Sequence, residues 1–201
     1  MIIPASADGI AHAAEMLRAG GVVAFPTDTL YGLAVDPRRD DAVERLFALK
    51  GRRPEAAVPL IAADLDQAMQ AGEFSSKELT LASVFWPGPL SIVVSARSTL
   101  SRAVLGGGTT VAIRIPAHPI ARELAASFVF AITATSANTS GEPAAESAAD
   151  VAAYLPDVDA ILDGGRAIGG RPSTIVRIDG GVLTLVREGA ITWDRVLKSL
   201  Q

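Results

Sequence analysis

Three segments of the sequence gather the residue types that bind small anions. Residues 25–33 (FPTDTLYGL) place three hydroxyl groups and the carboxylate of Asp28 at the end of an apolar run, just before a glycine. Residues 50–54 (KGRRP) carry three cations within four positions, and residues 135–141 (TSANTSG) are a run of short polar side chains that ends in glycine. Together the three segments predict a site for a small, polar, anionic ligand.

The basic segment has the chemistry to hold a triphosphate. Arginine offers forked donors and lysine a compact charge, and both neutralise phosphate oxygens during transfer. Lys50, Arg52 and Arg53 could therefore hold a triphosphate, although a solvated helix end is the commoner explanation for such a cluster taken alone.

The third segment supplies uncharged donors and acceptors. Ser136 and Asn138 lie two residues apart after an apolar run, so an extended backbone would point both side chains to one side. Gly141 would let the chain turn closely around a bound group. An ordinary turn explains the same residues equally well, since Ser, Asn and Gly favour turns.

Later in the chain, isolated cations interrupt apolar or hairpin segments. Arg114 lies inside the apolar strand predicted at 111–115, where a charge needs either a solvent-facing side or an anionic partner. Ser173 and Arg187 lie at opposite ends of a predicted hairpin, a position where such residues are usually structural.

Several catalytic mechanisms have no support in the sequence. The chain has no cysteine and two histidines, and no G-x-S-x-G elbow occurs. The segment at 165–171 (GRAIGGR) lacks the Gly-Lys-Ser/Thr ending of a phosphate loop. The remaining groups favour transfer by positioning and electrostatic stabilisation, with the substrate itself supplying the attacking atom.

Length and composition predict one compact domain over residues 1–201. With 201 residues and 49% hydrophobic content the chain can bury a substantial core. The formal charge of -4 argues against binding nucleic acid by bulk electrostatics, so RNA, if a partner, is bound locally. The sequence contains no signal peptide or membrane-spanning pattern, and we expect a soluble, cytoplasmic protein without a membrane partner.

Hydrophobic periodicity and capping residues predict alternating helices and strands. The predicted helices begin at Asp8, Asp40, Ser75, Pro119, Ser147 and Thr192. Ser75 opens a sequence with capping-box spacing. The predicted strands are 22–25, 58–62, 90–94, 110–115, 129–133, 160–162, 173–178 and 182–187.

The last two strands flank Asp179-Gly180-Gly181, a strong hairpin signal. Crossovers combined with a hairpin predict an α/β domain with a mixed sheet rather than an all-parallel one. Glycine-rich loops at 106–108 and 169–170 could close over a ligand.

Taken jointly, these residues resemble the YrdC-like L-threonylcarbamoyladenylate synthase family. The resemblance runs from Val22 to Ile191 and rests on motifs that occur in the family's order: PTDTLYGL (26–33), KGRRP (50–54), WPGPLS (86–91), VAIRIP (111–116), TSANTSG (135–141), PSTIV (172–176) and VREGAI (186–191). A K-x-R and an S-x-N in those contexts are far more specific together than either is alone.

The resemblance implies a twisted mixed β-sheet with flanking helices and a concave, positively lined face. It also implies a nucleotidyltransferase that joins L-threonine, bicarbonate and ATP into threonylcarbamoyl-AMP and releases pyrophosphate, with Mg²⁺ carried on the nucleotide. The product would serve modification of the tRNA adenosine next to the anticodon, which makes tRNA and a downstream threonylcarbamoyl transferase complex candidate partners.

The resemblance also assigns roles to ten positions. Lys50, Arg52, Ser136 and Asn138 would be catalytic and would bind ATP, together with Thr110 and Arg187. L-Threonine would be bound by Thr29, Arg114, Ala134 and Ser173. No residue is expected to ligate a metal directly.

The sequence departs from the family pattern at a few positions. Ala62-Ala63 stands where many relatives place a histidine near the threonine site, Asp28 replaces a common glutamate, Thr135 replaces a common proline, and Arg53 is an added cation. The alternatives are therefore a nucleotide- or RNA-binding paralogue without synthase activity and a relative that acts on another amine. The chain is similar to the short, single-domain bacterial form.

Overall fold

The computed structural model describes residues 1–53, 55–167 and 169–200. Pro54 of the KGRRP segment, Ile168 of the glycine-rich segment and Gln201 lie outside the described residues.

Helices and strands alternate along most of the described chain, as the sequence predicts. The helices are α1 (Ala7–Arg18), α2 (Asp40–Lys50), α3 (Leu65–Ala71), α4 (Ser76–Phe85), α5 (Pro119–Phe128), α6 (Ala148–Tyr154) and α7 (Trp193–Lys198). The strands are β1 (Ile2–Pro4), β2 (Val23–Pro26), β3 (Tyr31–Ala34), β4 (Leu60–Ile61), β5 (Gly72–Glu73), β6 (Leu90–Ala96), β7 (Thr110–Arg114), β8 (Ile132–Thr133), β9 (Thr135–Ser136), β10 (Ala160–Asp163), β11 (Thr174–Asp179) and β12 (Val182–Arg187).

The strands form two mixed sheets, which confirms the α/β class and refines the prediction of one sheet. The first sheet has the order β1-β10-β2-β3-β9, parallel from β1 to β2 and antiparallel from β2 to β9. The second has the order β12-β11-β6-β7-β4-β8, with β5 added beside β6. Its β11–β6 and β4–β7 pairs are parallel, whereas the hairpin β11–β12 and the pair β6–β7 are antiparallel.

The two sheets are joined at Thr133, a fully buried residue of β8. Its Oγ1 accepts a hydrogen bond from the Val35 amide at 2.8 Å and donates one to the Leu33 carbonyl at 3.2 Å. The Thr133 amide donates to the Val35 carbonyl at 3.3 Å. One side chain thus completes backbone hydrogen bonding between β3 of one sheet and β8 of the other.

Helix starts follow local capping chemistry. Ser75 and Glu78 form the predicted capping box of α4. At α1 the cap is Ser6, whose side chain accepts from the Gly9 amide, so the prediction that Asp8 caps this helix is wrong. Asp8 lies in the first turn, where a carboxylate suits the helix dipole.

Several elements differ from the sequence prediction. Strands β1, β3, β5 and β9 have no counterpart among the predicted strands, and the strand predicted at 58–62 spans only Leu60–Ile61. The strand predicted at 129–133 begins only at Ile132, because α5 ends at Phe128 with Val129 in the left-handed region at φ 68°. Helix α3 was not predicted; its N-cap is Asp64, whose side chain accepts from the Gln67 amide. Among the described residues, none of the helices has the length and apolar character needed to cross a membrane.

Candidate functional site

A pocket of about 430 Å³ is lined by residues of both sheets. Eight of the ten positions assigned by resemblance line it: Thr29, Arg52, Arg114, Ala134, Ser136, Asn138, Ser173 and Arg187. They come from segments far apart in the chain, so the fold itself brings the predicted site together. Lys50 and Thr110 are not among the lining residues.

The wall between β2 and β3 is a turn fixed by the side chain of Thr27. Its Oγ1 donates to the Leu30 carbonyl at 2.7 Å and accepts from the amides of Thr29 and Leu30 at 3.2 and 3.3 Å. The Thr27 and Thr29 hydroxyls lie 3.1 Å apart. A short polar side chain that bonds to its own turn explains why this loop presents Thr29 to the pocket in a defined position.

The S-x-N segment forms the neighbouring wall beside β3, through a turn rather than an extended strand. Strand β9 ends at Ser136, and the Asn138 amide donates to the Ser136 carbonyl at 3.0 Å. The Ser136 hydroxyl donates to Asn138 Oδ1 at 2.5 Å, and Asn138 Nδ2 donates to the Glu142 carbonyl. The expected pairing of the two side chains is therefore present, although the extended backbone predicted for it is not.

Gly141 follows this segment in the left-handed region, at φ 95°. No neighbouring atom lies within 4 Å of where its Cβ would be, so backbone conformation rather than close packing selects glycine here.

Lys50 lies behind this segment and holds it in place. It is the last residue of α2, is 2% exposed, and donates through Nζ to the Ser136 and Asn138 carbonyls and to Asn138 Oδ1. Burial, followed by repulsion from Arg52, lowers the pKa of Lys50 to about 8. In this structure the lysine contacts the pocket wall from outside instead of facing the cavity.

Arg52 reaches the cavity from the basic segment. Its Nη1 donates to Thr135 Oγ1 at 3.2 Å, while Nε and Nη2 donate to the Ala56 and Ala57 carbonyls at 3.2 and 2.6 Å. Burial lowers the pKa of its guanidinium. Neighbouring Arg53 is exposed, so the two arginines of the segment have different environments.

Arg114 at the end of β7 has the anionic partner that its position requires. Its Nη1 donates to Asp28 Oδ1 at 2.7 Å, and the side chains are 8% and 10% exposed. Asp28 Oδ2 accepts from the Ala117 amide at 3.3 Å. Asp28 therefore connects the β2–β3 turn to the segment that follows β7.

The hairpin β11–β12 contributes Ser173 and Arg187 to the same pocket. Arg187 Nη2 donates to the Ser173 carbonyl at 2.8 Å and to its hydroxyl at 3.3 Å. The Ser173 hydroxyl lies 3.0 Å from the hydroxyl of Ser91 on β6. Partial burial, followed by repulsion from Arg114, lowers the pKa of Arg187.

The last two assigned positions have different surroundings. Ala134 lines the pocket, and its amide donates to the Pro59 carbonyl at 2.8 Å. Thr110 begins β7 opposite Ser95 of β6, four residues from Arg114, which is about 13 Å along a strand. Its assignment to ATP remains a prediction.

The two glycine-rich loops lie against segments of the pocket. The Gly169 amide donates to the Thr29 carbonyl at 3.0 Å. A Cβ on Gly106 would lie 2.4 Å from the Glu55 carbonyl oxygen, so this loop packs closely on the chain after Arg52. Their closure over a ligand remains a prediction.

Sequence reasoning missed two polar contributors to the pocket. Glu142 and Ser91 both line it. Ser91 is the last residue of the WPGPLS motif, and Glu142 follows the S-x-N segment without a pattern of its own. For both, the first signal of a site role is their position in the folded chain.

The charges of the lining favour an anionic ligand. Three arginines and one glutamate line the cavity, with the Asp28 carboxylate behind one of the arginines. Hydroxyl groups from four segments add uncharged donors. The positive character of the wider concave face stays a prediction.

Comparison with known proteins relates this chain to one family. A family model for Sua5, YciO and YrdC, described as "Telomere recombination", matches residues 15–189. The curated threonylcarbamoyl-AMP synthase of Chromohalobacter salexigens is 41% identical over 180 residues, which is 88% of this chain and 96% of that protein. The synthase of Halorhodospira halophila is 42% identical over 170 residues, which is 83% of this chain and 88% of that protein.

Solved structures give the same result. Sua5 of P. abyssi complexed with L-threonine superposes with a TM-score of 0.94 at 35% identity, over 100% of this chain and 61% of that one. The chain thus spans about three fifths of the Sua5 protein. E. coli YciO, at 24% identity and a TM-score of 0.84, shares the fold. The family model and the identities to curated relatives show that this chain belongs to the Sua5/YciO/YrdC family.

Proposed function

We propose that this protein is an L-threonylcarbamoyladenylate synthase. It would condense L-threonine, bicarbonate and ATP into threonylcarbamoyl-AMP and release pyrophosphate. The observation that carries the proposal is the meeting of Arg52, Ser136 and Asn138 with Arg114 in one pocket of about 430 Å³. The similarity to curated threonylcarbamoyl-AMP synthases supports the same reaction.

In this proposal the lining residues are shared between the two larger substrates. Thr29, Arg114, Ala134 and Ser173 would bind L-threonine, with the Arg114 guanidinium suited to its carboxylate. The nucleotide would lie against Arg52, Ser136, Asn138 and Arg187, with Lys50 supporting the S-x-N turn from behind. A nucleotide that extended along β7 would bring its far end to Thr110.

The reaction needs positioning more than a protein nucleophile. The threonine amine attacks the carbon of bicarbonate, and loss of water leaves a carbamate. A carbamate oxygen then attacks the α-phosphorus of ATP, and the bond to the β,γ-diphosphate breaks to release pyrophosphate. Arg52 and Arg187 would stabilise the charge that develops on the phosphates, and Ser136 would donate a hydrogen bond there.

The donor set also fits a magnesium ion carried by the nucleotide. Glu142 is the one carboxylate in the described pocket lining, and Asp28 is engaged by Arg114, so the ion would take most of its ligands from phosphate and water. When bound, the ion would offset triphosphate charge. We further propose that the protein works in the cytoplasm and that its product passes to a threonylcarbamoyl transferase complex for tRNA.

The test is pyrophosphate release by the purified protein with ATP and Mg²⁺. We expect release to require both L-threonine and bicarbonate, to be weaker with L-serine, and to be lost in Arg52→Ala. Arg53→Ala is the matched control, because this exposed arginine lies next to Arg52 and should leave release unchanged.

Release that does not depend on threonine would contradict the proposal. ATP binding without release, combined with salt-sensitive retention of RNA, would favour the binding paralogue instead.

A further inference from the structure

We infer that Asp28 is a positioning residue that orients Arg114 for the carboxylate of the amino-acid substrate. This inference rests on the proposed function and deepens it. It concerns a residue of the PTDT segment that does not itself line the pocket.

The first step is how Arg114 is held. Its side chain is 8% exposed and its guanidinium borders the cavity. Within the described residues it donates a single hydrogen bond, from Nη1 to Asp28 Oδ1 at 2.7 Å. A guanidinium has five donors, so most of them are available to a ligand in the cavity.

The second step is how Asp28 is held. Its other oxygen accepts from the Ala117 amide at 3.3 Å, just beyond β7. The turn that carries Asp28 is fixed independently, because Thr27 Oγ1 bonds to Leu30 and to the Thr29 amide. Asp28 is thus anchored on both sides and gives the guanidinium one orientation.

The third step is charge. Arg114 and Arg187 repel each other across the pocket, and Asp28 is the counter-ion next to Arg114. Without this carboxylate the Arg114 side chain would turn towards other acceptors, and its free donors would no longer face one carboxylate-sized ligand. The chemistry favours a single α-carboxylate at Arg114.

The main experiment measures L-threonine binding by calorimetry in the wild type, Asp28→Asn, Arg114→Ala and the double variant. Asp28→Asn keeps the size of the side chain and removes its charge. We expect it to raise the Kd for threonine by about 10- to 100-fold, since a small misplacement of a binding group has effects of that size. Asp28→Glu retains the carboxylate and should recover most of the affinity.

The double variant distinguishes positioning from direct contact. If Asp28 acts through Arg114, Asp28→Asn adds no further loss in the Arg114→Ala background. An equal loss in both backgrounds would overturn the inference, because Asp28 would then contact the ligand directly or support the loop in general. Thermal unfolding of each variant separates loss of affinity from loss of fold.

Steady-state kinetics give a second readout. Asp28→Asn should raise the KM for L-threonine while the KM for ATP changes less than about twofold, and a parallel rise in both would contradict the inference. If the wild type binds threonine but releases no pyrophosphate, the proposed function fails and the binding cycle still decides the role of Asp28. If the wild type does not bind threonine, both are overturned.

Discussion

The Nζ atom of Lys50 lies 3.1 Å from Oδ1 of Asn138 and also bonds to the backbone carbonyls of Ser136 and Asn138. The end of α2 is thereby attached to the turn after β9, 86 to 88 residues later in the chain. The Ser140 amide completes this attachment by donating to the Lys50 carbonyl at 2.8 Å.

Lys50→Met should therefore lower stability as well as activity. It removes three hydrogen bonds. The Ser136 carbonyl and Asn138 Oδ1 keep a second donor each, whereas the Asn138 carbonyl loses its donor, and an unsatisfied buried acceptor costs about 1–3 kcal/mol. We expect the free energy of unfolding in urea to fall by about 2 kcal/mol. Arg53→Met, at an exposed position, is the control and should leave it unchanged within about 0.5 kcal/mol. Equal stability of both variants would show that the attachment is dispensable.

The lowered pKa of Lys50 predicts opposite pH trends for stability and activity. With a pKa of about 8 in the folded state against 10.5 in the unfolded chain, the unfolded state binds the extra proton between those values. Stability from this group therefore rises with pH across that window. Activity should fall over the same range, because a neutral amine has two donors for three acceptors.

The stability trend is checked by urea unfolding at several values between pH 8 and 10. The wild type should gain about 1 kcal/mol per pH unit relative to Lys50→Met. Parallel curves for the two proteins would contradict a titration of Lys50 in that window.

Ser136→Ala should affect turnover more than folding. Ser136 is exposed to the cavity, and surface substitutions usually change stability by less than about 0.5 kcal/mol. If its hydroxyl stabilises charge on the reacting phosphate, kcat should fall by about 100-fold. Single-turnover pyrophosphate release measures this directly, and an unchanged kcat with a raised KM for ATP would assign Ser136 to binding alone.

Arg187→Lys tests whether the several donors of the Arg187 guanidinium, at the end of β12, are needed for ATP binding. Arg187 bonds to both the carbonyl and the hydroxyl of Ser173, which a lysine cannot reproduce with a nucleotide bound as well. We expect the KM for ATP to rise by about tenfold, equivalent to about 1.4 kcal/mol, with little change for L-threonine. A larger effect on threonine would move Arg187 to the amino-acid side.

Thr133→Val tests the joint between the sheets. Valine keeps the shape of the side chain but leaves the Val35 amide and the Leu33 carbonyl without their partner. The expected loss is about 1–3 kcal/mol in the free energy of unfolding. Thr80→Val, on the exposed face of α4, is the matched control.

The sequence predicts much of this architecture because the signals are local. The capping box of Ser75 and the hairpin around Gly180-Gly181 depend on residues a few positions apart, and both are present. Contacts between residues far apart in the chain leave no such local pattern in the sequence. The two sheets are joined where Thr133 Oγ1 bonds to the Val35 amide and the Leu33 carbonyl, and no sequence pattern near Thr133 predicts these bonds.

The same distinction holds for the candidate site. Residues of recognisable motifs, such as Arg52, Ser136 and Asn138, are indeed gathered in one pocket. The partner of Arg114 was not predicted, because Asp28 lies 86 positions away and hairpin or helix spacing gives no information at that range. Lys50 was expected at the ligand, and its position behind the wall follows from the geometry of the last turn of α2.

The pocket also has a consequence for the order in which the protein becomes competent during synthesis. Its walls include the β2–β3 turn near the N-terminus and Arg187 at the end of β12, with the whole S-x-N segment between them. A nascent chain that has folded only its first sheet therefore holds the Thr29 turn and Ser136 without Arg187. The lining is complete only after the hairpin β11–β12 has left the ribosome and paired with β6, so a ligand that needs Arg187 cannot guide the earlier steps of folding.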